Sequence, residues 1–453
     1  MRSTGLPWRI AIAVIIGLVA VSTTLGSRFK RYPTHGDPST LMHAGSQETP
    51  APASRPAAPA ADSTSEAAGT DGEAAEGTDQ EAAVDDEIGT LFSHRVLDVS
   101  GVRIDYIYIG EAFHNARGGL NTAGATEYRG LFDLAATFDL EALGGIEGGT
   151  FFVYGEDLHG RSATSNHVGD FQMLSNIDNP TNFTQVSEYW WQQELAEGAI
   201  WVKAGKQDAN ADFCALDLGG DFLNSSFGLI PNVPMPTYPH QGLGAALFAT
   251  LGERLSVGAG FYDGGAIGTT WGFSTLGHFG CMSIAELKWD PQLAIFGGKP
   301  SAYRIGAWHH SGEWDSLDGS GTFADNQGWY AAFDQLLLLE EEDEEQGLGF
   351  FVQYGNAPDD RNAVENYFGV GLLYRGPIEG RDEDLCGVGL AHARFADELR
   401  MTDGMTYESA IESFYRAQVR PWAAVQPDVQ FIANPGGNQK DALAVGVRFE
   451  IIL

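Results

Sequence analysis

The sequence predicts an all-β fold: a transmembrane antiparallel β-barrel of about 16 strands, preceded by a signal segment and a disordered tail. Three observations carry this. The chain ends in an alternating run, with Leu443, Val445, Val447, Phe449, Ile451 and Leu453 on one face. Ala442, Ala444, Gly446, Arg448 and Glu450 fall on the other, with Ile452 the one apolar exception. Strand side chains alternate faces, so one side is greasy throughout and the other is small or charged. The second observation is a hairpin. Leu243, Ala245, Leu247, Ala249 and Leu251 alternate with Gly244, Ala246, Phe248 and Thr250, then turn at Gly252-Glu253-Arg254 into Leu255, Val257, Ala259 and Phe261. The third is length. About 360 residues follow residue 93, room for about 16 strands at roughly 22 residues per strand with its loop. A soluble sandwich uses strands of about five or six residues, shorter than these runs.

Residues 1–27 read as a signal peptide or N-terminal anchor. Arg2 and Arg9 flank a short polar start, residues 10–21 are almost wholly apolar, and small residues follow. That is the order of an export signal, and the apolar run is shorter than the roughly 20 residues a membrane span needs. Arg28, Lys30 and Arg31 just after it are unusual for a cleaved signal. Residues 28–93 read as a disordered acidic tail rich in Ala, Pro, Ser and Thr. Between positions 34 and 90 there are 12 acidic residues and one basic, Arg55, and almost no branched or aromatic side chains. Such a segment buries too little apolar area to offset its chain entropy. Residues 94–453 are assigned to the barrel.

Charge narrows the function classes. Lys+Arg number 26 against 61 Asp+Glu, a net charge of −35. Nucleic acid is excluded as a partner because there is no basic stripe for phosphates. Cys214, Cys281 and Cys386 are odd in number and widely spaced, so they read as buried or wall-facing thiols. His309-His310 lacks partners at ligand spacing, and there is no GxSxG, P-loop, dinucleotide fingerprint or HExxH. No cofactor and no metal are expected.

Along the barrel, Tyr128, Gly130, Phe132, Leu134, Ala136, Phe138 and Leu140 make one face, and Arg129, Asp133, Thr137 and Asp139 the other. Phe368, Val370, Leu372 and Tyr374 repeat the design, opposed by Gly369, Gly371, Leu373 and Arg375. Helical periodicity is scarce, with short helical turns expected at 140–146 and 406–413. The acidic run Glu340 to Glu345 reads as a solvated loop.

These pieces resemble the OprB-like family of carbohydrate-selective porins. The stretch from Glu188 to Gly264 carries Trp191, Gln193, Lys206, Asp208 and Phe213. It continues through Asp221-Phe222-Leu223-Asn224-Ser225-Ser226-Phe227, Pro236 and Tyr238-Pro239, and closes on Gly258-Ala259-Gly260-Phe261-Tyr262-Asp263-Gly264. The C-terminal stretch, with Arg381, Asp384 and Gly387 upstream, is similar too. The resemblance covers about residues 102–453. It implies one barrel in the bacterial outer membrane through which small sugars diffuse, with outer-membrane lipid as the surrounding partner. The chain departs from the pattern by ending in Leu453 rather than an aromatic residue. A homo-oligomer and a monomer both stay open.

A sugar pore needs aromatic platforms and charge-assisted hydrogen bonds that still release the sugar. Strand phase supplies the substrate-binding candidates. They are Arg129 and Asp133; Glu188, Trp190 and Gln192; Trp201 and Lys203; Glu412 and Arg416; Asp428 and Gln430; and Arg448. The bland alternative for each charge is a structural ion pair. Trp191 and Trp422 are expected in the interfacial girdles, and Trp190 and Trp201 in the lumen. Two other readings stand beside the porin. One is a secreted, tethered β-rich carbohydrate-binding protein or glycosidase using Glu188 with Glu194 or Asp208. The other is a purely structural barrel.

Overall fold

The computed structural model describes residues 97–265, 271–339 and 346–452. The expected signal segment, the whole acidic tail, the run Glu340 to Glu345 and the terminal Leu453 lie outside the described residues. The first strands are β1 (Val102–Arg117), β2 (Thr126–Asp139), β3 (Gly149–Gly160), β4 (Phe183–Leu195), β5 (Ile200–Gln207) and β6 (Gly242–Thr250). Next come β7 (Leu255–Asp263), β8 (Cys281–Trp289), β9 (Ser301–His310), β10 (Asn326–Leu339) and β11 (Gly347–Asn356). The last are β12 (Val364–Arg375), β13 (Leu385–Phe395), β14 (Tyr407–Arg420), β15 (Ala423–Ala433) and β16 (Ala442–Ile452). Each pairs antiparallel with its sequence neighbours, and β16 pairs with β1, so these 16 strands close on themselves. A three-residue strand, Leu97–Val99, adds to β1.

Closure explains the alternation. A closed sheet has no edge to protect, and its two faces meet different media. Tyr128, Phe132, Leu134, Val445 and Val447 lie exposed on the outside, while Glu127, Arg129, Asp133, Arg448 and Ala444 are buried on the inside. The predicted hairpin is present as β6 and β7, nine residues each. Stacked sheets, as the soluble reading requires, are replaced by one closed cylinder whose outer face carries Phe132, Leu134, Ile411, Val445 and Val447.

Thr406 to Ser413, expected as a helical turn, is instead extended and belongs mostly to β14. Its alternation decides: Glu408, Ala410, Glu412 and Phe414 are buried inside, while Tyr407, Ile411 and Ser413 are exposed outside. Residues 140–146 form a turn tied by Asp139, whose Oδ1 accepts the N–H groups of Glu141 and Ala142. Among the described residues, helical segments form in connections, at Thr164–Val168, Ser225–Gly228, Ala294–Phe296, Asp397–Thr402 and Pro435–Gly437.

The two ends of the cylinder differ. Short turns join β4 to β5, β6 to β7 and β14 to β15, at the end where β1 begins and β16 stops. Long connections lie at the other end. Two of them, residues 161–182 and 208–241, fold into the barrel. Phe213, Phe222, Leu223, Phe227 and Ile230 are fully buried there against Tyr262, Tyr330, Phe351 and Tyr367 of the wall. The loops thus pack one part of the interior, while Trp190, Gln192, Trp201 and Arg416 elsewhere on the inner face stay partly exposed.

Candidate functional site

Glycine makes the packed part. Phe351, Gly371, Gly389, Glu412 and Gln430 lie side by side across β11 to β15 in one interior hoop. A Cβ on Gly389 would come 2.7 Å from Phe227 and 2.9 Å from Phe222, and one on Gly387 3.0 Å from Phe222. Missing side chains on the wall therefore form the trough that seats the loop's aromatic rings. Phe222 packs on Phe227 at 4.5 Å and meets Phe351 and Phe414 edge-on at 5.4 and 5.0 Å.

Wall carboxylates hold the loop backbones. Glu412 accepts the N–H groups of Leu223 and Asn224 at 2.6 and 2.8 Å. Asp334 accepts those of Asp217 and Leu218 at 3.1 and 3.0 Å. Glu286 accepts from Cys214 at 2.9 Å, and Glu188 from Asp208 at 3.1 Å. The other in-folded loop is held likewise, Glu408 accepting from Phe171, Gln172 and, in the adjacent β15–β16 connection, Gly436, at 2.7, 2.8 and 2.6 Å. Buried N–H groups need acceptors, and a carboxylate satisfies two adjacent ones with a charge-assisted bond each.

The twelve sequence-predicted residues all face the interior, in separate groups. Glu188, Trp190, Gln192, Trp201 and Lys203 come together on β4 and β5. Trp190 stacks on Phe152 at 4.8 Å and Trp201 on Phe248 at 4.3 Å. The Lys203 ammonium lies 5.2 Å from the Trp190 ring centre and 6.0 Å from that of Trp201, and it pairs with Asp212 of the loop. Gln192 lies beside Lys203 in register. Glu188 also accepts from Trp190 Nε1 at 3.1 Å.

Glu412, Asp428, Gln430 and Arg448 form a second, buried group that grips the loops. Gln430 donates to the Leu174 carbonyl at 2.7 Å and accepts from Asn224 Nδ2 at 3.2 Å. Asp428 accepts from Gln430 at 3.0 Å. Arg448 pairs with Glu111 and donates to Asn176 Oδ1 at 2.5 Å. Arg129 pairs with Asp178 at 3.0 Å, and Asp133 sits across from Glu156. Arg416 lies apart from both, towards the short-turn end, bridged to Glu450 at 2.9 Å and to Gln418 at 3.1 Å.

Exposure separates these roles. Arg129, Asp133, Lys203, Glu412, Asp428, Gln430 and Arg448 are buried, whereas Glu188, Trp190, Gln192, Trp201 and Arg416 stay partly open to the interior. Facing them is the free edge of the loop, with Asp212, Asp217 and Asp221. Asp217 is exposed and reaches Arg304 at 3.3 Å. Asp221 lies within electrostatic reach of Arg416, Glu450, Arg375 and Arg448, and burial raises its pKa above the ordinary carboxylate value. Burial also raises Asp212, against the opposing pull of Lys203. The partly exposed interior groups are therefore acids on the loop and, on the wall, Glu188, Arg416, Gln192 and the two tryptophans.

Sequence reasoning found the wall's inward phase and missed the loop that fills it. It also passed over Glu111, Glu286, Asp334 and Glu408, which share that phase. Trp191 is exposed on the outer face. The three thiols are free, with Cys214 of the loop buried against the wall and its pKa pushed well up by that burial.

Residues 123–453 match the family model described as carbohydrate-selective porin, OprB family. Porin B of Pseudomonas aeruginosa is 22% identical over 403 residues, spanning 76% of this chain and 86% of that protein. A putative porin, QuiX, of Acinetobacter baylyi is 22% identical over 402 residues, spanning 78% and 90%. The high-pH structure of Pseudomonas putida OprB shares the fold, with a TM-score of 0.72 at 22% identity over 78% of this chain and 94% of that one.

Proposed function

The chain belongs to the OprB family of carbohydrate-selective porins, and we propose that its sugars pass between the loop edge at Asp212, Asp217 and Asp221 and the wall bearing Trp190, Trp201, Gln192 and Arg416. It is a porin of the bacterial outer membrane, and sugars cross it by diffusion. The carrying observation is the pair of stacked aromatics, Trp190 on Phe152 and Trp201 on Phe248, flanking the Lys203–Asp212 pair. A pyranose has weakly apolar faces and hydroxyls at its rim. The rings take a face, and Glu188 and Gln192 exchange hydrogen bonds with the hydroxyls, with the Lys203–Asp212 pair beside them. Charge-assisted bonds favour entry, and the open lumen allows release.

In this reading Glu412, Asp428, Gln430, Arg448, Arg129 and Asp133 act on the sugar indirectly, by holding the loops that narrow the path. Passage involves no bond-breaking step, and the Glu188 and Asp208 carboxylates serve the loop rather than a hydrolysis. Residues 1–27 direct export, and the tail to residue 93 is a spacer ahead of the barrel. Liposome swelling tests the site. The native protein is expected to admit small neutral sugars with a rate that saturates. Replacing Trp190 and Trp201 by Ala is expected to abolish saturation while leaving ion passage. Unchanged saturation in that variant overturns the assignment.

A further inference from the structure

Residues 271–276, in the connection from β7 to β8, lie over the outside of the cylinder. Tyr189 on β4, Lys206 on β5 and Leu243 on β6 sit side by side in register on the outer face. Tyr189 Oη donates to the Trp271 carbonyl at 2.5 Å, and the two rings lie 5.9 Å apart. A Cβ on Gly272 would stand 3.2 Å from Leu243 and 3.9 Å from the Lys206 stem, so the backbone there lies flat on the wall. Asp263, at the end of β7, ties the far side by accepting from Thr275 Oγ1 and the Gly277 N–H, each at 2.9 Å.

The outer side of this segment is apolar and open. Trp271 is 60% exposed, Phe273 64% and Leu276 54%. Beneath it, Lys206 is buried to 1% exposure, its Nζ donating to the Val186 carbonyl at 2.8 Å. Lys206 occupies the phase that Ala204 and Val202 give to the apolar band. A lysine facing hydrocarbon costs roughly 2–4 kcal/mol at the midplane and less near the interface.

We propose that residues 271–276 are a lipid-contact segment of the outer face, seated at the headgroup–acyl boundary and carrying the apolar band across Lys206. The occupant is lipid because the segment is continuous with that band, which includes the exposed Trp191 on the same face of β4. Tryptophan is also a residue type that sits at that boundary. The proposal rests on the barrel standing in a bilayer.

The test uses the full chain in phosphatidylcholine vesicles with brominated acyl chains. Emission of the native protein minus that of Trp271→Phe gives the Trp271 signal. That signal is expected at shorter wavelength than an indole in water. It is expected to be lost with brominated chains, more so when bromine lies near the headgroup than near the chain end. Phe273→Asp with Leu276→Asp is expected to remove that loss. A change in electrophoretic mobility on boiling, as in the native protein, shows that each variant still forms the barrel. Quenching of the other tryptophans with Trp271 untouched overturns this proposal and spares the membrane reading. Quenching of Trp271 that appears only on dilution into excess lipid overturns it in favour of a second copy. Failure of every tryptophan to quench overturns both.

Discussion

The Glu412 carboxylate, on the wall, accepts the backbone N–H of Asn224, on the in-folded loop, at 2.8 Å. Its other oxygen takes the Leu223 N–H at 2.6 Å, and the glutamate is fully buried. Glu412→Ala leaves two buried donors without acceptors, at about 1–3 kcal/mol each. The loop should shift while the barrel closes as before. Single-channel conductance is expected to rise and sugar block to weaken, with unchanged heat-shift electrophoresis. Glu412→Gln keeps one acceptor and should fall between.

Gly389 makes the same point sterically. Its missing Cβ leaves room for Phe227 and Phe222 at distances a side chain would fill. Gly389→Val should unseat both rings. Cys214, on the same loop and buried against the wall, reports it: with Cys281 and Cys386 replaced by Ser, Cys214 should resist maleimide in the native barrel and label readily in Gly389→Val. Equal labelling of the two proteins would contradict the trough.

Lys203 joins the loop to the aromatic platforms, so its removal should split two effects. Lys203→Met removes the partner of Asp212 and the cation over Trp190, a contact worth about 0.5–2 kcal/mol. Sugar block should weaken and the preference for cations should increase, because an acid on the loop edge loses its counter-charge. Reversal potentials in a salt gradient measure the second effect.

Acidity should tighten the loop at 161–182. Burial, then the adjacent Glu408, pushes the Asp170 pKa well above the ordinary carboxylate range, and Asp178 adds to it. A raised carboxyl binds its proton more tightly folded than unfolded. Its stabilisation is full below the ordinary value and is lost as pH rises through the raised one. Limited proteolysis within 161–182 should quicken from mildly acidic to neutral pH. Asp170→Asn should flatten that dependence and slow cleavage at neutral pH; a steeper dependence would contradict the assignment.

The cylinder was legible because period-two alternation is local: Leu443 to Leu453 and Tyr128 to Leu140 declare their faces without knowledge of their partners. The inward phase of all twelve candidate residues was legible for the same reason. What those residues touch was not. Glu412 reads from sequence as a lumen carboxylate, and only the return of residues 208–241 into the barrel turns it into a backbone acceptor. Two signals were present in Gly369 and Gly371 opposite Phe368, and in Gly387 and Gly389 along β13. Small residues on an inward face mark where another segment must fit. Thr406 to Ser413 misled because its short polar and apolar mixture fits a helix until the neighbouring strands fix its register.

Planar-bilayer recording of the purified protein tests the central claim most directly. A barrel narrowed by loops against Trp190, Trp201 and Lys203 should give uniform conductance steps, and a small neutral sugar should reduce them in a saturable way. Steps that sugar leaves unchanged in the native protein, or a folded protein that gives no steps, would contradict the account.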